Sequence, residues 1–335
     1  MAASIEDVAR RAGVSIATVS RALRGLPDVA TSTRERVLTA ARDLDYVASP
    51  FAARLASGRT SNVGLVVPFV NRWFFSEVIS TVESALRENG FDLLLYNLGN
   101  EQGRGRFFDV MPVRKRVDGV LVASLVLEDH EFDALEELKR PVGLLGIERH
   151  GVLSAGIDDV ASARAAVEHL IELGHRRIGL IGGDTDDPMR FTPPLHRRTG
   201  YLQALAHAGI PADAGMERLG FFTVEGGANA AGALLNQTDP PTAIFAESDE
   251  MAYGAIRAIE RAGYQVPGDI SVIGFDDQPF SATMDLTTVR QPVAEQALDV
   301  TTRLVARIAD PNAAGECAVT LPTTLVLRGS TAAPR

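Results

Sequence analysis

Residues 15–23, SIATVSRAL, carry the spacing with the clearest chemistry in the chain. Wound at 3.6 residues per turn, they turn Val19, Ala22 and Leu23 inward and leave Ile16, Ala17, Thr18 and Arg21 available outward. Such a face recognises another molecule's surface rather than breaking bonds. Three elements must position it. Ile5, Val8, Ala9 and Ala12 mark a preceding helix that Ser4 and Asp7 can cap. Gly13 suits the backbone that ends that helix, and Ser15 is placed to cap the next one. A third helix is predicted from Thr31 or Ser32 to Asp45, with Val37, Ala40, Ala41 and Leu44 as its buried stripe. This is helix-turn-helix design, whose second helix enters the DNA major groove.

Net charge at first argues against a polyanionic partner, since the chain of 335 residues carries −10. The distribution of that charge points the other way. Residues 1–60 hold nine arginines against six carboxylates, or +3, which leaves −13 on the remainder. A modestly basic head on an acidic body fits a small DNA reader attached to a sensor. Cys317 is the only cysteine, so no disulfide within the chain is possible. Charges interrupt the N-terminus before any apolar run, and no stretch approaches the roughly 20 apolar residues of a membrane span. A cytoplasmic protein with no membrane partner is expected.

Residues 46–62 form a short polar connector, YVASPFAARLASGRTSN. Ser49 can cap and Pro50 can start a helix that Ser57 and Gly58 stop near Ala56. So short a helix is marginal alone and is expected to order only with a partner. From Val63 onward apolar runs read as buried parallel strands at 63–68, 92–98, 119–125, 141–147, 177–183, 242–248 and 270–277. Helical segments at 75–89, 162–173, 198–208 and 250–262 lie between them. One unit recurs as ENGFDLLLY, ELGHRRIGLI and RAGYQVPGDISVIGF, a helix ending in Gly followed by a strand. Its presence in both halves implies two doubly wound α/β subdomains, a pair that binds small ligands between them.

The runs DVARRAGVSIATVSRAL, RTSNVGLVVP, HLIELGHRRIGLIGG and VPGDISVIGFDDQP…LTTVRQP, in that order, closely resemble the lactose/galactose repressor family of bacterial transcription regulators. The resemblance covers essentially the whole chain. It implies a helix-turn-helix domain at 1–48, a hinge helix and linker at 49–61, and a periplasmic-binding-protein-like core at 62–335. Within that core it implies one subdomain from about 62–161 and 291–321 and another from about 162–290 and 322–329. It also implies a homodimer on pseudo-palindromic operator DNA. Carried over by position, Ile16, Ala17 and Arg21 match the residues that read base edges, and Ser15, Thr18 and Ser20 those that position the helix on phosphates. Solvated helix surface accounts equally well for Thr18 and Ser20. Leu55 matches a leucine wedged into the central minor-groove step, with Arg54 beside it. Ala48 stands where the family often has Pro.

In the core the resemblance places Arg197 on ligand oxygens, Asp249 and Asp276 as acceptors from ligand hydroxyls, Phe222 as a stacking ring and Ser248 beside Asp249. Asp249 could also cap the helix that follows it, and Asp277 reads as a turn cap. Trp73, Phe74 and Phe75 follow the first core strand; at least one phenylalanine is assigned to packing, Trp73 to a platform for a second sugar ring, and Phe74 to the ligand beside it. Gly146 stands where monosaccharide and nucleoside sensors place an acid, which favours an oligosaccharide or glycoside effector.

The sequence holds no GxSxG, HExxH or phosphate-binding loop, and Gly182–Gly183 lacks the third glycine of a dinucleotide fingerprint. Cys317 reads as a small apolar residue, and a helix end explains His175. No enzyme activity and no cofactor or metal are expected. The reading is a repressor of carbohydrate genes released from its operator by a sugar. The alternatives are a co-repressor-dependent sensor of another metabolite, a sugar carrier or a sugar enzyme. The last two leave residues 1–60 without a role. No heptads follow Arg328, so a coiled-coil tetramer is not expected.

Overall fold

A computed structural model of the chain describes residues 3–23, 28–46, 59–313 and 315–335. Two compact units emerge, Met1–Ser61 and Asn62–Arg335. The connector positions Ala48, Ser49, Pro50, Arg54, Leu55, Ala56 and Gly58 lie outside the described residues.

The first unit packs α1 (Ile5–Ala12), α2 (Ile16–Leu23) and α3 (Thr31–Asp43) around Val8, Val19 and Val37, each wholly buried. Ser4 and Asp7 form a reciprocal capping box: the Asp7 N–H donates to Ser4 Oγ at 3.3 Å and the Ser4 N–H to Asp7 Oδ2 at 3.0 Å. Gly13 takes the left-handed conformation (φ 64°) that ends α1. Ser15 Oγ then accepts from the Thr18 N–H at 3.1 Å and caps α2. An ion pair between Arg11 and Asp43 (3.0 Å) ties α1 to α3.

The second unit is built on two six-stranded sheets. One contains β1 (Asn62–Val67), β2 (Asp92–Asn97), β3 (Gly119–Ala123), β4 (Val142–Leu145), β5 (Leu153–Gly156) and β11 (Ala318–Thr320), ordered β11-β5-β4-β3-β1-β2 and wholly parallel. The other contains β6 (Ile178–Gly182), β7 (Glu217–Leu219), β8 (Ala243–Ala246), β9 (Ser271–Asp276), β10 (Thr287–Arg290) and β12 (Thr324–Val326), ordered β12-β10-β9-β8-β6-β7. Only β12 in that sheet runs antiparallel to its neighbour.

Helices cover both faces of each sheet. On the first, α4 (Trp73–Glu88) and α11 (Val293–Ala309) pack against Val63 and Leu65, while α5 (Glu101–Val110) and α6 (Asp129–Glu136) pack against Val66 and Val120. On the second, α7 (Asp159–Glu172) and α8 (Pro193–His207) cover one face, and α9 (Val224–Leu235) with α10 (Asp249–Arg261) the other. Burial on both faces explains why β1, β3, β6 and β8 read as unbroken apolar runs. The recurring helix-Gly-strand unit appears as expected, with Gly90, Gly174 and Gly263 all at positive φ.

Some elements differ from expectation. β2 is a half-exposed edge strand rather than a buried one, and Leu95 on it is 42% exposed. Strands β5, β7, β10, β11 and β12 span three or four residues each and carry Ser, Thr, Glu or Arg among them, so none reads as an apolar run. The chain passes between the sheets three times, after β5, β10 and β11.

Candidate ligand cleft and nucleic-acid interface

On α2, Val19 and Ala22 are buried, whereas Ser15, Ile16, Ala17 and Arg21 are exposed and Thr18 and Ser20 half-buried. Ile16, a large aliphatic side chain, is 47% exposed. The side chains left free are the ones whose spacing points outward. Ser15 and Thr18 also bond each other through their hydroxyls at 2.9 Å, which fixes both at the start of α2.

In the second unit, strand ends from both sheets converge on a cavity of about 40 Å³. Ser124 follows β3, Ser248 follows β8 and Asp276 ends β9, while Arg72, Phe74 and Phe75 come from the start of α4. Carboxyl ends of parallel strands at a switch between subdomains are where open α/β folds bind ligands. Backbone strain gathers there too: Ser124, Phe222 and Asp276 have φ of 53°, 54° and 127°. Gly183 makes the Phe222 conformation possible, because a Cβ there would lie 2.3 Å from the Phe222 ring.

Arg197 is the hub of the polar side. Its Nε donates to Asp159 Oδ1 at 2.8 Å, its Nη1 to the Glu247 carbonyl at 2.5 Å, and its guanidinium lies 3.7 Å over the Phe275 ring. Asp276 Oδ1 stands 3.9 Å from Arg197 Nη1 and accepts from Gln291 Nε2 at 2.5 Å. Burial pushes the Asp276 carboxyl well above the usual carboxylate range, partly offset by Arg197. Glu247, 1% exposed, is pushed up to about 8 by burial, although the Gly183 N–H donates to it at 2.9 Å.

Of the residues the sequence assigned to the ligand, Phe74, Arg197, Phe222, Ser248 and Asp276 line this cavity. Two others lie elsewhere. Asp249 is wholly buried and accepts from the Gln278 N–H (2.8 Å), Ser281 Oγ (2.5 Å) and Thr288 Oγ1 (2.6 Å), so its oxygens are committed inside the protein. The helix cap there is Ser248, not Asp249. Trp73 packs against the core of the first sheet, and its backbone N–H donates to Glu250. Asp277 is not a simple turn cap: it pairs with Arg290 and Arg328 at 2.6 Å each.

Sequence reasoning missed Arg72, Ser124, Phe191, Pro193, Glu250 and Gln291. Gln291 stood in the run LTTVRQP with no role given to it; for the others the nearest signal is adjacency, Arg72 beside Trp73 and Glu250 beside Asp249. Phe191 sits on residues 184–192, a segment of the second sheet's half that is held to the first. The Val126 N–H donates to the Arg190 carbonyl at 3.2 Å, Arg104 donates to the Met189 carbonyl, and Arg190 pairs with Glu128. Arg104 is itself buried and doubly bonded to Glu131 at 2.8 and 2.6 Å. Across this junction Phe191 packs 6.1 Å from Phe75 and 5.4 Å from Phe222, centroid to centroid.

Among the described residues no cluster of side chains has metal-ligand geometry, and no helix is long and apolar enough to cross a membrane. Cys317 is a half-buried free thiol, and His175 bonds Thr242, Ser271 and the Ala332 carbonyl inside the fold.

The chain is similar to known proteins along nearly its whole length. The family model for "Bacterial regulatory proteins, lacI family" matches residues 4–49, and that for "Periplasmic binding protein-like domain" matches residues 167–331. The HTH-type transcriptional repressor CytR of Escherichia coli (strain K12) is 34% identical, covering 99% of this chain and 97% of that protein. The Lac repressor dimer bound to operator and the anti-inducer ONPF superposes with a TM-score of 0.87 at 27% identity, covering 99% of this chain and 100% of the other. A complex of the transcriptional regulator CelR with cellobiose matches at 32% identity and a TM-score of 0.71, covering 98% and 99%. This chain belongs to the LacI family of bacterial regulatory proteins.

Proposed function

We propose that this chain is a transcriptional repressor whose homodimer holds a pseudo-palindromic operator and releases it when a sugar-like effector enters the core. The observation that carries the reading is the outer face of α2, where Ile16, Ala17 and Arg21 stand exposed above a fully buried Val19. Arg21 donates to guanine O6 and N7, while Ile16 and Ala17 contact thymine methyls. Ser15, Thr18 and Ser20 set the helix on phosphates. Leu55, with Arg54 beside it, wedges the minor groove between half-sites. Binding to genomic operators places the protein in the cytoplasm.

In the core, Arg197 and Asp276 bond the effector's polar groups, Ser248 contributes a hydroxyl, and Phe74 and Phe222 cover its C–H surface. The cavity of about 40 Å³ is far below the roughly 300 Å³ at the small end of ligand pockets, so entry moves Phe191 and Phe222 apart. That movement strains the junction made by Arg104, Arg190 and Val126 and shifts the two halves to another arrangement. Asp249 acts behind the site by holding the Gln278 turn that supports Asp276.

The test selects genomic fragments that bind the full-length protein, then titrates sugars into the complex. One or more sugars releasing the fragment, with release lost in Arg197→Ala and Asp276→Ala, supports the reading. Leu55→Ala should abolish tight operator binding and spare effector binding; unchanged operator affinity overturns the wedge. Release that persists in both cleft variants overturns the assigned cleft.

A further inference from the structure

Arg72 differs from four other buried or half-buried arginines of the second unit. Arg104 is bonded to Glu131, Arg197 to Asp159, Arg303 to Asp299 and three backbone carbonyls, and Arg328 to Asp277. Arg72 caps the start of α4 and is half-buried, yet among the described residues no carboxylate lies within ion-pair distance of it. Its guanidinium is instead stacked on rings, 4.1 Å from the Phe69 centroid, 5.4 Å from Phe222 and 5.8 Å from Phe191. Asp187 and Glu250 act on it only as charges further off.

A guanidinium has five N–H donors and no way to shed its charge, so a half-buried one that no protein acceptor meets leaves those donors for water or a ligand. Ring faces attract its charge but take none of the hydrogen bonds. The acids that share the cavity are engaged elsewhere. Glu250 accepts the Trp73 backbone N–H, and Asp276 accepts from Gln291 at 2.5 Å and Gln278 at 3.4 Å. Two guanidiniums, Arg72 and Arg197, therefore face one small cavity from opposite halves of the unit, and only Arg197 has its acceptors in the protein.

We propose that the effector carries an anionic group, a phosphate ester or a carboxylate, that Arg72 receives within the cleft. The proposal rests on the cleft being the effector site and adds that its ligand is a charged sugar rather than a neutral one. Planar donors on a rigid ring platform suit the oxygens of either anion. The competing structural role is a staple, in which Arg72 only holds the aromatic side chains of the closed cleft together.

The experiment compares matched probes on the full-length protein by calorimetry and thermal shift: glucose, glucose 6-phosphate, glucuronate and inorganic phosphate. Wild type should bind at least one charged sugar about ten-fold or more tighter than glucose. Arg72→Gln should bring that ratio to about one, and inorganic phosphate should protect wild type more than Arg72→Gln. Whether glucose 6-phosphate or glucuronate shows the larger ratio identifies the anion. A ratio near one in wild type, an unchanged ratio in Arg72→Gln, or no charged probe protecting wild type more than the variant overturns the proposal. Glucose binding that is lost in Arg197→Ala while the charged-to-neutral ratio ignores Arg72 keeps the cleft and rejects the anion. Binding of every probe indifferent to Arg197→Ala rejects the cleft itself.

Discussion

The outer face of α2 and the cleft of the core solve recognition in opposite ways. On α2 the working side chains are exposed and bear almost none of the packing, which rests on Val19 and Ala22 beneath them. In the cleft, Arg197, Ser248 and Asp276 are at most 5% exposed; Arg197 is bonded to Asp159 and Asp276 to Gln291, while Ser248 caps α10. Specificity on the helix can therefore change without touching stability. Specificity in the cleft cannot, because the residues that would meet a ligand also carry buried bonds of the fold.

The largest expected loss tests the second half of that contrast. Asp249→Ala leaves the Gln278 N–H, Ser281 and Thr288 without their shared acceptor in a fully buried place. It should cost about 2–4 kcal/mol of stability in urea unfolding of the second unit. An intact unfolding midpoint combined with lost effector response would mean that Asp249 meets ligand after all. Next in size is Arg21→Ala, which should weaken the selected operator by about 1–3 kcal/mol while leaving the unfolding midpoint in place. A comparable loss on unrelated DNA would reduce Arg21 to a phosphate contact.

The same contrast explains what was legible in the sequence. A recognition helix is one local segment, so its periodicity displays the inward Val19 and the outward Arg21 together. The double winding was legible because strands buried on both faces leave unbroken apolar runs. The cleft was only partly so. Arg197, Phe222, Ser248 and Asp276 fell into place through positions matched to a family, and Gln291 stood in a shared run without a role, but Arg72 and Phe191 become neighbours only after the chain has crossed between the sheets. Asp249 and Trp73 show the converse limit. Sequence puts them beside cavity residues, and one further turn of backbone puts their side chains inside the protein.

A gain rather than a loss reads the electrostatic side of the cleft. Glu247 titrates near 8 in the folded chain against 4.5 for an ordinary glutamate. Between those values the folded state keeps a proton that the unfolded state has lost. Stability contributed by this group is therefore full below about pH 4.5, declines as pH rises and levels off above about 8. Glu247→Gln keeps an oxygen for the Gly183 N–H and removes the titration. At pH 8 it should be about 4 kcal/mol more stable than wild type, with the advantage vanishing toward pH 4.5. A constant difference across that range would show that the carboxyl stays ionised in the fold.

Ile16→Ala is the smallest and most discriminating change. Nearly half of this side chain is exposed, and it lies outside the core of the helical unit. Truncation to alanine removes little buried surface, and alanine is the better helix former, so stability should stay within about 0.5 kcal/mol of wild type. Against operator DNA the deleted methyl groups lose their apolar partners, which should cost about 1 kcal/mol, or roughly five-fold in affinity. The loss should concentrate on sites with thymine opposite Ile16 and disappear when that thymine becomes uracil, which lacks the methyl. A stability loss above about 1 kcal/mol with no change in operator preference would make Ile16 a packing residue. The separation of reading from holding on α2 would then fail at its most exposed position.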